Sequence, residues 1–452
     1  MPAETSSSGL FNLKTQAEIT DFALSLCGTS RIRYVPEEKR WRVYDTFWDL
    51  VDEGWPYRYF NTMILPAIRN LPHDGDDAWR RWEKEMGQYT YQTNILKLLG
   101  ARHQTPLSGF DVAPHLLNFR NGTYDLKALA FREPSPDDRL TVQLSYNYEP
   151  SAACPRWEKF LARILPPDII RYLQTFFGVC LSGEVLQMFL FFWGHGKNGK
   201  SVLTRTVAEL LGGYVSHMPS ESLISWKNGG MRATPEIAAL RGKRLAFSTE
   251  VEEGRLNETL VKNLCSTDEV RGRFLYRDYV VFRPTHKLVI SGNNEPVIRG
   301  TDLGIWRRVK KIPFVQEISD AERVELNALV ASHLEESSGI ANWMLDGWKR
   351  YRTEGIVDPE SVVETNRLYR LDQDFLQQYI QERCDAGPGM EARSSLLLQD
   401  FNCWLAGMGV ERKWDSRTFA QRLRHKGYSD VRRAAGTAWA GLALKPGGGF
   451  AA

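Results

Sequence analysis

Gly194-His195-Gly196-Lys197-Asn198-Gly199-Lys200-Ser201 follows G-x-x-x-x-G-K-[ST], the pattern of a phosphate-binding loop. The apolar run Met188-Phe189-Leu190-Phe191-Phe192-Trp193 leads into it, and Val202 to Leu211 follows with Val, Leu and Ala at helical spacing. Strand, glycine loop and helix in that order are the setting this motif needs. Glycines let backbone N–H groups turn inward around phosphate oxygens, and the following helix aims its positive dipole end at them. Lys200 is placed to reach the β- and γ-phosphates of a nucleotide, and the Ser201 hydroxyl to bind Mg²⁺. The candidate nucleotide contacts are Gly194, Gly196, Lys197, Asn198, Gly199, Lys200, Ser201 and Val202.

A phosphate loop alone does not hydrolyse ATP. An acid at the end of a neighbouring strand must hold the metal shell and activate water. Arg244-Leu245-Ala246-Phe247-Ser248-Thr249-Glu250 reads as such a strand. It assigns Glu250 to metal binding or water activation and Glu252 to a second carboxylate; a surface acidic loop is the competing reading. Further on, His286-Lys287-Leu288-Val289-Ile290-Ser291-Gly292 empties into Asn293 and Asn294. An amide there can hydrogen-bond the γ-phosphate or the attacking water, and Asn293 is the candidate. Arg307 and Arg308 then precede another strand, Lys310 to Phe314. Either can neutralise charge on a transferred phosphoryl group, often from a neighbouring subunit, and the sequence does not choose between them.

Between the acid and the amide, Asp268 to Arg277 interleaves basic and aromatic residues. That mixture suits a nucleic-acid backbone and its bases, with Arg271, Arg273, Arg277 and the later Lys287 as candidate contacts. A half-buried strand with a solvated basic face fits it as well.

The 452 residues allow two or three domains, and a net charge of +3 makes the whole only mildly basic. The charge is uneven: residues 401–452 hold nine Lys/Arg against three Asp/Glu, which suggests a polyanionic partner for that end. Cys27, Cys154, Cys180, Cys265, Cys384 and Cys403 form no C-x-x-C and no Cys/His cluster, which argues against a zinc site and a disulfide framework. Apolar runs are too short to span a bilayer and no signal peptide is evident, so a soluble, cytoplasmic protein without a membrane partner is expected.

Along the chain the expected organisation is a disordered tail at 1–9, an N-terminal α+β accessory domain at 10–150 and an α/β ATPase domain at 151–350. A linker at 351–370, a small winged-helix-like DNA-binding domain at 371–445 and a flexible end at 446–452 follow. Helices are expected at Thr15–Leu26, Pro155–Phe177, Leu371–Arg383, Ser395–Met408 and Ser416–Lys426. Strands are expected at Arg40–Tyr44 and in short pieces around Asn121-Gly122. The alternating strands and helices of 185–315 predict a doubly wound core around a parallel sheet.

Taken together these residues resemble the superfamily 3 helicases, above all the helicase half of phage, plasmid, satellite-phage and poxvirus-type primase–helicases. The resemblance is carried by Asn118 to Leu126, Tyr148-Glu149-Pro150, Cys154 to Leu161, Gly196 to Ser201, Leu240 to Arg244, Glu250 and Ile305 to Arg308, and spans roughly residues 100–315. It implies a P-loop AAA+ type core in a homo-oligomeric ring, usually a hexamer, with ATP between subunits and single-stranded DNA in the pore. It also implies a collar-like module before the core and a winged helix after it. Such a protein would be a replication helicase of a mobile element in the host cytoplasm, acting on single-stranded and forked DNA. The sequence departs from the family at Cys265-Ser266-Thr267-Asp268, where a Gly-Gly-Asp stretch is usual, and at Gly292-Asn293, where Thr-Asn is usual. The first hundred or so residues have neither a paired-carboxylate polymerising motif nor a zinc-ribbon spacing, so no primase activity is expected in this chain and a separately encoded primase is a candidate partner. A nucleotide-driven assembly switch and a DNA-binding initiator that does not unwind share the phosphate loop and remain alternatives.

Overall fold

The computed structural model describes residues 15–27, 31–71, 77–224, 234–249, 255–274, 279–298, 303–372, 375–408, 413–433 and 436–445. The N-terminal unit begins with α1 (Gln16–Cys27) and a three-stranded antiparallel sheet, β1 (Ile32–Val35), β2 (Arg40–Tyr44) and β3 (Trp48–Leu50). The short helices α2 (Trp55–Tyr59) and α3 (Leu65–Arg69), then α4 (Asp77–Met86) and α5 (Tyr89–Arg102), close over it. Ile19, Ala23, Trp41, Phe60, Ile64 and Leu99 form its own core.

A second antiparallel sheet follows: β4 (Leu116–Phe119), β5 (Gly122–Asp125) and β6 (Ala130–Arg132). The expected turn at Asn121 is there, and the Asn121 amide bridges to the backbone of Tyr148 (2.8 and 3.0 Å). This sheet does not belong with the N-terminal core. Leu117, Phe119, Tyr124 and Leu126 pack into the same cluster as Trp157, Phe176 and Trp348 of the following helices. The hydrophobic boundary therefore falls between residues 102 and 116, earlier than the expected break at 150. The buried Arg244 reinforces the join: its guanidinium donates to the carbonyls of Leu181 and Leu116 and lies 4.1 Å over the Tyr214 ring.

Helices α6 (Pro155–Ile164) and α7 (Pro167–Cys180), each with proline in its first turn, lead into the central domain. Its sheet contains β7 (Phe189–Trp193), β8 (Val215–His217), β9 (Leu245–Ser248), β12 (Lys287–Gly292) and β13 (Val309–Pro313), all parallel, in the spatial order β13-β7-β12-β9-β8. The middle strands are buried along nearly their whole length, as a sheet covered on both faces requires. Helix α8 (Lys200–Leu211) follows β7; α9 (Ser220–Leu223) and α10 (Pro235–Ala238) lie between β8 and β9. Helix α11 (Glu258–Leu264), the antiparallel hairpin β10 (Val270–Arg273) and β11 (Tyr279–Phe282), and α12 (Leu303–Trp306) complete the crossovers.

Helices α13 (Leu326–Leu334) and α14 (Ser337–Glu354) follow β13. Helix α14 crosses α7 at two glycines: a Cβ on Gly347 would collide with the Gln174 carbonyl, and one on Gly178 with the Trp348 backbone. Where a linker was expected at 351–370, α14 runs on to Glu354 and α15 (Glu360–Asp372) packs on β13 with Val362 and Tyr369 fully buried. Val357, Val363 and Leu368 of this stretch stay exposed, and Val362 and Tyr369 alone among its described residues are fully buried.

The C-terminal unit runs α16 (Phe375–Arg383), β14 (Cys384–Arg393), α17 (Ser394–Gly407), α18 (Ser416–His425), β15 (Ser429–Arg433) and β16 (Gly436–Leu444). Helix α16 ends at Arg383, and the register of β14 behind it shifts between Ala386 and Glu391. Its core, Leu376, Tyr379, Leu397, Phe401, Phe419 and Trp439, is separate from the others. No helix among the described residues is long and apolar enough to cross a membrane.

Candidate functional site

The cleft opens at the carboxyl ends of β7, β12 and β9, where a doubly wound sheet places its ligand. Parallel pairing sets Gly292 opposite Trp193, so Asn293 and Gly194 leave the sheet side by side. Gly196 (φ +84°), Lys197 (φ +47°) and Gly199 (φ +80°) take left-handed conformations that curl the loop into a concave row of N–H groups, and α8 starts directly behind it. Asn198 braces the loop from behind: its Nδ2 donates to Phe314 O at 3.1 Å, past the end of β13. Its side chain therefore faces the protein rather than the cleft.

Lys200 is 6% exposed. Its Nζ donates to Gly194 O and, at 3.3 Å, to Asn293 Oδ1. No carboxylate among the described residues pairs with it. Burial lowers its pKa to about 8. A buried ammonium at a helix N-terminus, opening on a cleft, lacks an anion. Ser201 is exposed along the same wall, and Val202 lines it half-buried.

Around the rim, basic side chains are tethered to the segment that follows β13. Lys197 pairs with Asp320 (2.8 Å), Arg163 with Glu322 (2.9 Å), and Arg156 with Glu335 and Glu336 (2.7 and 2.9 Å). Ile318 N also donates to Lys197 O at 2.7 Å. This strap over the outer side of the loop had no signal in the sequence, because its partners lie more than a hundred residues apart.

Glu250 and Glu252 lie outside the described residues, as does Arg277; β9 ends at Ser248, and Thr249 lines the cleft. The two arginines after α12 separate. Arg307 is exposed, whereas Arg308 is 9% exposed and turns inward to donate to Gly304 O at 2.7 Å. Neither lines the cleft of its own chain. Arg271 and Arg273 sit on the exposed face of the β10–β11 hairpin opposite Val281 and Tyr279, and the Arg273 guanidinium lies 5.5 Å over the Tyr279 ring. Gly272 faces inward, where a Cβ would overlap the Ala238 backbone.

Lys287 corrects the sequence reading. It is 1% exposed, and its Nζ donates to Ser182 O, Glu184 O and Thr285 O (2.5, 3.2 and 3.2 Å). It is an internal tie at the start of β12 and has no surface with which to meet nucleic acid.

Two family models match the chain: "D5 N terminal like" over residues 21–166 and "Family of unknown function (DUF5906)" over 192–308. The chain is 27% identical over 321 residues to "Putative helicase L207/L206" of Acanthamoeba polyphaga mimivirus, covering 66% of this chain and 33% of that protein. It is 26% identical over 226 residues to "Putative helicase 121R" of Invertebrate iridescent virus 3, covering 47% and 24%. It is 24% identical over 317 residues to "Putative primase C962R" of African swine fever virus, covering 64% and 33%. These matches support placing the chain with the phage and viral superfamily 3 primase–helicases. It spans about a quarter to a third of the length of these relatives. Among solved structures, the apo A form of the NrS-1 C-terminal region matches this chain with a TM-score of 0.50 at 12% identity, covering 93% of this chain and 97% of that one. That likeness is one of fold.

Proposed function

We propose that the chain is the ATP-hydrolysing motor of a replication helicase, with an AAA+ type core that works as a ring, a hexamer in the usual family pattern. The observation that carries this reading is the Lys200 amine, buried at the N-terminus of α8, opening on the cleft beside Asn293 and without a carboxylate partner among the described residues. Triphosphate oxygens would supply the missing anion. Their N–H partners would come from Gly196 to Ser201, with Lys200 on the β- and γ-phosphates. Asn293 would orient the attacking water or the γ-phosphate, Glu250 would take the water's proton, and Glu252 would assist. As water bonds to the γ-phosphorus, its bond to the β–γ bridging oxygen breaks and ADP leaves with the electron pair. Ser201 and Glu250 would hold Mg²⁺, which supplies charge neutralisation on the phosphates.

Arg307 is the better candidate for a finger acting on a neighbouring copy, since it is exposed and away from its own cleft. Single-stranded DNA would pass the Arg271 and Arg273 face of the β10–β11 hairpin, with Tyr279 available for stacking. The C-terminal unit has the helix–strand–helix–helix–hairpin order of a winged helix. Its α18 presents Arg417, Gln421 and Arg424 on one exposed face, suited to forked or duplex DNA. A primase partner and a host-cytoplasmic place of action follow from the viral relatives.

The test is ATP hydrolysis with and without single-stranded DNA, with Lys200→Ala as the blank, followed by strand displacement on a forked duplex. DNA-stimulated turnover and unwinding, both lost in the variant, are expected. Turnover indifferent to DNA would move the assignment to an assembly switch, and DNA binding without turnover to a passive initiator.

A further inference from the structure

Behind the cleft, a buried polar node joins parts of the molecule that the proposed chemistry does not use. Tyr369 of α15 is fully buried, and its hydroxyl donates to Pro296 O at 2.5 Å, just past Asn293. Its ring stands edge-on to Trp306 (5.4 Å), the neighbour of Arg307, and stacks 6.3 Å from Phe191 of β7. Lys311 of β13 adds a second strand to the knot. Its Nζ pairs with Glu295, between Asn293 and Pro296, and lies 4.2 Å from the Trp193 ring and 5.3 Å from that of Tyr369. Its backbone N–H donates to Asn366 Oδ1 of α15 at 2.9 Å.

Such a node is a poor device for stability alone. Lys311 and Glu295 are largely withdrawn from water, at 9% and 21% side-chain exposure, and an ion pair of this kind seldom outperforms apolar side chains of similar volume. What the polar groups supply is position. The hydroxyl and the ion pair fix the loop that carries Asn293, the ring fixes the helix that ends beside Arg307, and both are anchored on α15. That helix leads into α16 and the C-terminal unit.

We propose that Tyr369, with the Lys311–Glu295 pair, is a positioning node that carries the nucleotide state of the Asn293 loop to Arg307 and, through α15, to the C-terminal unit. The inference rests on reading the cleft as a nucleotide site. A change at Asn293 when a γ-phosphate binds or leaves would pull on Glu295 and Pro296, and α15 would answer because its Tyr369 and Asn366 are bonded to that loop and to β13.

The test uses the full chain. Hydrogen–deuterium exchange with and without a non-hydrolysable ATP analogue and Mg²⁺ should reveal protection both at 194–201 and at 360–372. Tyr369→Phe, which keeps the ring and removes the hydroxyl, should retain the protection at 194–201 and lose that at 360–372. Its KM for ATP should be unchanged while DNA-stimulated kcat falls about tenfold, the scale of one buried hydrogen bond felt only in the transition state. The paired change Lys311→Met with Glu295→Gln should behave alike. The proposal is overturned if 360–372 in the wild type ignores the analogue, a result independent of whether any variant folds, or if Tyr369→Phe keeps both wild-type kcat and the exchange response. Wild-type protein that lacks Lys200-dependent turnover yet transmits the analogue to α15 would sink the motor reading and leave the node standing.

Discussion

Lys200 and Asn293 meet across the cleft: the ammonium donates to the amide oxygen at 3.3 Å, although 93 residues separate them. Each follows a different strand, and the parallel register of β7 and β12 brings them together. The contact ties the candidate phosphate-binding lysine to the candidate sensor. Asn293→Ala is expected to lower kcat by about a hundredfold with little change in KM for ATP, the scale of a lost transition-state donor. Steady-state kinetics check this; an increase in KM alone would reassign Asn293 to ground-state binding.

The pKa of Lys200, lowered to about 8 by burial, sets a pH dependence. Phosphate needs the ammonium form and will raise that pKa on binding. Above about pH 8 the free site must therefore take up a proton as nucleotide binds, and affinity should decline as pH rises; well below that, binding is proton-neutral at this group. Calorimetry in buffers of different ionisation enthalpy measures the uptake, and Lys200→Ala should abolish it.

His286 and His333 make the fold acid-sensitive. Burial lowers their pKa values to about 3 and about 4, well under the ordinary 6.5 of a histidine. Between those values and about pH 6.5 the unfolded chain binds more protons, so stability falls as pH falls through that window. Neither ring nitrogen of His286 has a hydrogen-bond partner in the structure. His286→Leu should flatten the acid limb of a Tm-against-pH curve, whereas an unchanged slope would place the sensitivity elsewhere.

Gly347→Ala tests the crossing of α7 and α14. Its added methyl group would meet the Gln174 carbonyl, and the helices must separate. A loss of about 1–3 kcal/mol or more in denaturant unfolding is expected, against a near-neutral effect for Gly407→Ala, where open space receives the methyl.

Arg307 and Arg308 should divide cleanly. Arg307→Ala is expected to lower kcat while leaving Tm unchanged, because its side chain is exposed. Arg308→Ala should lower Tm, because the buried guanidinium holds the Gly304 carbonyl. Reversal of these outcomes would exchange the two roles.

Most of the elements were legible in the sequence. The apolar runs gave β7, β9, β12 and β13 within a residue or two, and helical spacing gave α8, α17 and α18. The glycine loop was legible as a candidate site because its pattern lies in consecutive residues. Lys287 was misread for a definite reason: a lysine beside an apolar strand looks solvated in one dimension, and only three converging carbonyls allow it inside. The same blindness hid α15, where polar letters suggested a linker and two buried side chains made a packed helix.

By itself, then, the sequence determined the glycine loop between strand and helix and the order of strands along the chain, since local patterns fix backbone conformation and periodicity. Tertiary structure alone decided which strands became neighbours, that Asn293 would face Lys200, that Arg308 would turn inward while Arg307 stayed out, and that Tyr369 would bind the Asn293–Pro296 loop to α15. The physical reason is common to all of these. Register, burial and hydrogen-bond satisfaction are properties of distant segments taken together, and no stretch of chain carries them before the sheet has formed.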